Sequence, residues 1–396
     1  MRNEERDMTN DTSKYARMDQ ADGGDEEGSI PKVNSLSMKL KRVSFLFALF
    51  LIIPSLPVSA STTTDQTKLS LIKTITGSIS PKSVQASNNG LVSAHNMMYR
   101  HSVTIYDAET LELKNTIPDS VQLSKFGYSK YSGVYKGAPV EGAYSPDGKY
   151  LYFTNYAMYG KGFNKEGHDT CSPASGFDTS YLSRINLEKN QIDAVYPVGS
   201  VPKVVKVTPD NKYILVSNWC SYTVTIISVE TQKTVKSIKI GRYPRGISIS
   251  SDSAHAYVAE MGGNRIHQID LADFSVKYIP IGSNPRAIEL SPDNTKLYAT
   301  LNISGKVIAW DLVTNKAIKT VATGKSARSL AISSDGSALF VVNFRSGTLS
   351  KVRTSDMKVV QNIKVCAEPI GVTYDSVNSR TWVACYGGSI KVFANQ

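Results

Sequence analysis

From Leu69 onward the chain is written in short apolar runs, each closed by a cluster of Ser, Thr, Pro, Asp, Asn or Gly. Such runs predict β-strands, since alternate side chains face a core while the small and Asx residues turn the chain. The best-spelled copy covers 203–240, with strands at 204–207, 213–217, 222–228 and 234–240. Its turns are Thr208-Pro209-Asp210-Asn211 and Glu230-Thr231-Gln232-Lys233. Aligned copies begin near Pro244, Pro285, Ala327 and Pro369, with two less regular ones near Pro81 and Pro139. The turn aspartate marks the period at Asp147, Asp210, Asp252, Asp293, Asp335 and Asp375, with spacings of 63, 42, 41, 42 and 40 residues. Four short antiparallel strands per period of this length predict an all-β fold, the β-propeller.

The copy beginning at Pro369 reaches Gln396 after three strands. The fourth is expected from the other end, where 69–77 repeats the pattern of the glycine-ended strand at 234–241. Pairing that N-terminal strand with the last three closes the ring and removes an exposed sheet edge. The count is then seven four-stranded blades over residues 61–396. The repeats resemble the YVTN family of seven-bladed propellers. The resemblance rests on Leu215-Val216-Ser217-Asn218 with Thr223-Val224-Thr225-Ile226, on Ile240-Gly241-Arg242-Tyr243-Pro244, on Tyr257-Val258-Ala259-Glu260 and on the Ser/Thr-Pro-Asp-Gly/Asn turns. It implies an exported or cell-surface propeller and says little about activity.

The first sixty residues stand outside the repeat. Residues 1–37 are polar, with five Lys/Arg against nine Asp/Glu, and are expected to be a disordered leader. Residues 38–60 then carry a basic start, an apolar run from Val43 to Pro57, and Val58-Ser59-Ala60. That order reads as a secretory signal peptide cleaved after Ala60, with Met38 the natural start. An uncleaved short membrane anchor is the alternative, against which the length and the prolines Pro54 and Pro57 argue. Residues 61–396 hold 37 Lys/Arg and 25 Asp/Glu, a balance that favours anionic partners.

In a blade of strands A to D, the B–C loop and the D–A connection open on one face, and the turn aspartates lie on the other. Those aspartates therefore read as hairpin structure. The first insertion, a D–A connection, interleaves Lys125, Tyr128, Lys130 and Tyr131; the second, a B–C loop, carries His168 and Cys171. Both fall on the same face, where binding loops are expected. The residue after the repeated proline opens strand A at the channel mouth: Lys82, Val140, Lys203, Arg245, Arg286, Arg328 and Ile370. Five of the seven are basic, so an anion-binding ring and a set of local ion pairs are both open readings. The end of strand B reaches the same mouth with Asn155, Asn218, Glu260, Leu301, Asn343 and Cys385. Trp219 follows Asn218 as either an exposed aromatic platform or interblade core.

All four cysteines lie beyond residue 61. Strand register favours the pairs Cys171–Cys220 and Cys366–Cys385. A metal site at these cysteines with His168 is the competing reading, but the chain has no CxxC or HxxxH spacing. No nucleophile elbow, phosphate loop, zinc-protease helix or haem-attachment motif occurs, so no cofactor or metal is expected. The expectation is an exported, monomeric, non-catalytic binding propeller. Its partner would be an anionic polymer (nucleic acid or glycan) or an envelope protein. The alternative is a channel-site enzyme such as a lactonase-like hydrolase, with Glu260 and either His95 or His168 as its acid/base set.

Overall fold

The computed structural model describes residues 62–97 and 99–396. The leader and signal segments expected at 1–37 and 38–60 lie outside the described residues. Among the described residues twenty-nine strands form seven antiparallel sheets, six of four strands and one of five. The strands that open the seven repeats are Pro81–Ala86, Tyr135–Tyr144, Pro202–Val207, Pro244–Ile249, Pro285–Leu290, Ala327–Ile332 and Pro369–Asp375. Each of these packs against its counterpart in the next sheet, and the last packs against the first, so the ring is closed. This is a seven-bladed propeller.

Closure is as the repeat demanded. Leu69–Ile75 lies antiparallel to Ser389–Asn395, pairing Leu69 with Asn395 and Ile75 with Ile390. Lys68 and Gln396 exchange backbone hydrogen bonds at the seam. The sheet order runs from the N-terminal strand through Ser389–Asn395 and Arg380–Cys385 to Pro369–Asp375. Apolar side chains of one blade interlock with the next, as where Leu215 and Ile226 meet Ile247, Val258 and Ile269. The outermost strands are left to solvent: Lys316–Ala322 is exposed almost throughout. No helix among the described residues is long and apolar enough to cross a membrane.

Two local devices set the geometry. In five blades a Ser or Thr hydroxyl donates to the turn aspartate at 2.5–2.6 Å, as Ser145 does to Asp147 and Thr208 to Asp210. The same carboxylates accept the amide two residues on, which makes them turn formers. At the opposite end, proline opens strand A, the channel-side edge where a missing N–H leaves no ladder bond unmade. The residue before strand A takes the left-handed conformation at Val201, Tyr243 and Asn284, and at Ser326, where Ala327 stands in place of the proline. Its carbonyl then accepts the amide of the residue just past strand B, namely Trp219, Met261, Asn302 and Phe344 respectively. The chain's post-proline and post-strand-B positions are thereby clamped side by side at the mouth.

Candidate functional site

The clamp brings the predicted basic ring together and supplies it with a wall. Lys203 lies 4.4 Å from the Tyr156 ring centroid and 5.2 Å from that of Trp219. Arg328 sits over Phe344 at 4.3 Å, Lys82 over Tyr386 at 5.3 Å, and Arg286 Nη1 lies 3.6 Å from Met261 Sδ. All the wall residues occupy one repeat position, the first after strand B except in blade 2, where the strand does not end at Asn155 but runs on to Tyr159. Read around the blades that position is Met97, Tyr156, Trp219, Met261, Asn302, Phe344 and Tyr386, aromatic or Met in six of seven. Polarizable faces suit a recessed cation, since they attract its charge while excluding water.

Lys203, Arg245 and Arg286 are each only 6% exposed. Arg245, Arg286 and Arg328 line a channel cavity of about 80 Å³ together with Glu141 and Glu289. Crowding and burial act on the lysines. Burial, with Arg328 and Lys203 nearby, pulls the Lys82 ammonium well below its usual range. Lys203 falls to about 8, because burial and Arg245 outweigh the favourable carboxylate of Asp169.

That carboxylate is the unforeseen member of the site. Asp169 Oδ1 lies 2.9 Å from Lys203 Nζ. Burial tends to raise the Asp169 pKa, yet Lys203, Lys82 and Arg328 hold it well below the ordinary carboxylate range. Those three cations come from three different blades. A second acid, Glu141, reaches Arg245 Nη2 at 3.2 Å from inside the channel. Both acids stand outside the repeat alignment of basic positions, Asp169 in the long B–C insertion.

Residues 178–335 match the family model described as a YNCE-like beta-propeller. The chain fits a YVTN-type propeller repeat family. Among solved structures it is similar to hydrazine synthase of Kuenenia stuttgartiensis, at 16% identity and a TM-score of 0.61 over 80% of this chain and 96% of that one. This likeness is one of fold. No curated protein matches the chain.

The YVTN-type repeat also explains the end of strand B. Asn218 Oδ1 accepts the Gly199 amide and its Nδ2 donates to Thr225. Asn96 repeats this with the Ser80 amide and Thr104, while Asn343 Oδ1 accepts the Thr323 hydroxyl and its Nδ2 donates to Ser350. Asn96 is not marked by the repeat, because blade 1 lacks the turn aspartate from which the position is counted. In blade 4 the same two places hold Glu260 and His267, 2.9 Å apart, with the Arg242 amide donating to Glu260 at 3.3 Å. The acid/base set expected from Glu260 with His95 or His168 is therefore not assembled; the histidine that meets Glu260 is His267. His95 is fully buried, bonded through Nδ1 to Ser83, and held neutral by burial with its pKa near about 3. His168 is exposed and meets Phe177 edge-on.

The remaining predicted residues divide by packing. Trp219 is 7% exposed, stacks on Tyr243 at 4.5 Å and donates Nε1–H to the Asp169 carbonyl, so it is interblade core and no open platform. Tyr128 packs edge-on to Tyr181, and Tyr131 stacks on Phe163 at 4.8 Å, binding the first insertion to blade 2. Lys125 and Lys130 stay exposed. Lys125 lines a separate open groove of about 520 Å³ with Phe126 and Gln122. Both disulfides form as register suggested, Cys171–Cys220 and Cys366–Cys385, with Cα separations of 5.4 and 6.2 Å. Among the described residues no cluster of His, Cys, Asp or Glu could hold a metal.

Proposed function

We propose that this protein is an exported binding propeller whose channel mouth takes a carboxylate or phosphate group of its ligand, inserted end-on. The observation that supports this is the convergence of Lys82, Lys203, Arg245, Arg286 and Arg328, from five blades, on one aromatic-walled mouth. Recessed cations in a low-dielectric wall bind an anion more strongly than the same charges on an open surface. The cavity beneath them, about 80 Å³, falls well short of the roughly 300–1,000 Å³ of pockets that enclose a small molecule. It suits one charged group of a larger ligand, such as an acidic envelope protein or glycan. The packed Tyr128 and Tyr131 rings favour this over stacking of bases along the face.

Export is part of the proposal, on the strength of the residue 38–60 pattern and two disulfides, which persist in oxidising compartments. The test is titration of the full chain with inorganic phosphate by calorimetry. Binding is expected to weaken as salt rises and to drop at least about tenfold in the Arg245→Ala plus Arg286→Ala chain. Salt-insensitive binding, or no effect of the double change, would count against the reading. Turnover of a lactone that disappears in Glu260→Gln would promote the hydrolase instead.

A further inference from the structure

The long B–C insertion is fastened over the mouth at several points. Trp219 Nε1–H donates to the Asp169 carbonyl at 2.9 Å, and Tyr222 Oη–H donates to the Cys171 carbonyl at 2.6 Å. Cys220 Sγ lies 3.5 Å from the His168 carbonyl, and Cys171 is joined to Cys220 by a disulfide. These contacts all involve the B–C loop of blade 3, which immediately follows Asn218. Their joint effect is to aim one side chain, Asp169, at Lys203 and toward the cations of blades 1 and 6. The carboxylate is still about a third exposed, so it covers the ring without sealing it.

We propose that Asp169 is an internal competitor, occupying the ring as a tethered carboxylate that a ligand's anionic group must displace. The inference rests on the anion-site reading above and adds the regulation of that site. Its physical basis is effective concentration: a carboxylate fixed at 2.9 Å by a disulfide-anchored loop rebinds faster than any dilute anion can arrive. The occupant also indicates the ligand's chemistry. A ring that already satisfies a carboxylate through an ammonium and neighbouring guanidinium charge will accept a carboxylate or phosphate oxygen in the same position. Any change that loosens the loop therefore raises affinity without altering a basic residue.

The experiment compares phosphate binding to the full chain, to Asp169→Asn, and to Cys171→Ser with Cys220→Ser, at one salt concentration. The amide of Asp169→Asn keeps the loop's shape while removing the charge, and affinity is expected to rise at least about tenfold. The double cysteine chain keeps the carboxylate on a loosened loop and is expected to fall between the two. Equal affinity in all three, with Arg245→Ala plus Arg286→Ala still weakening each, overturns the competitor and leaves the anion site standing. No phosphate binding by any of them, Asp169→Asn included, sinks the anion site itself. Should Asp169→Asn fail to fold, the double cysteine chain decides alone, and unchanged affinity there overturns the inference.

Discussion

Burial strips Asp119 of water without giving its carboxylate a hydrogen-bond donor: both oxygens are enclosed and unpartnered. Asn155 Oδ1, equally buried and unpartnered, meets it above Gly137, where an added Cβ would lie 2.2 Å from Asp119 Oδ2 and 2.4 Å from Asn155 Oδ1. Asn155 Nδ2 is committed to Ser183, as the repeat requires, so two acceptors face one another. Burial pushes the Asp119 pKa up to about 8. The native protein thus keeps a proton that the unfolded chain releases in the ordinary carboxylate range. The stability this contributes is full below the unfolded value and is lost as pH rises through about 8. Asp119→Asn supplies a permanent N–H donor of the same shape. Its melting temperature is expected to match the parent only below about pH 4 and to exceed it by a margin that grows with pH, reaching several degrees in mild alkali. Parallel pH profiles would refute this assignment. Neither Asp119 nor Asp169 was legible beforehand, because repeat alignment compares shared positions and both sit in insertions.

At the scale of the element, one small motif recurs with substitutions from blade to blade. The residue ending strand B ties the preceding D–A connection to strand C, with Asn and a hydroxyl in blades 1, 3 and 6. Glu260 and His267 do this in blade 4, while blade 5 replaces the pair with the apolar Leu301 and Ile308. Asn343, fully buried, bonds Thr323, Thr348 and Ser350. Asn343→Ala strands these groups and should cost about 1–3 kcal/mol in denaturant unfolding. A loss below the error of that measurement would mean water repairs the site. The asparagine's turn-closing role was readable from its place in the repeat. Its replacement by a Glu–His pair was not, since the second member is fixed only by strand register.

For the whole molecule, closure is the dominant fact. Seven repeat-opening strands pack in an unbroken circle, and the N-terminal strand completes the last blade. Leu69 joins the core with Phe340 and Phe393, and Thr64 and Asp65 amides bond Asp335 and Ser337. Removing residues 63–75 exposes the edge of Ser389–Asn395 and part of that core. The truncated chain is expected to melt at least about 5 °C lower and to associate through the open edge, seen by light scattering. An unchanged melting temperature and a monomer would show that the ring does not depend on this seam.

Periodicity carried the fold. Strand positions, the turn role of the aspartates, the seam and the cysteine pairs all follow from repeated local chemistry, because each blade solves the same packing problem with the same residue types. The basic ring at the post-proline position was legible for the same reason. What sits in the ring was decided by tertiary structure alone. Asp169 reaches Lys203 across 34 residues through a loop that no repeat constrains, and the aromatic wall belongs to a position defined by a backbone clamp between neighbouring segments. Local sequence specifies which cations exist; only the folded ring determines which carboxylate they share.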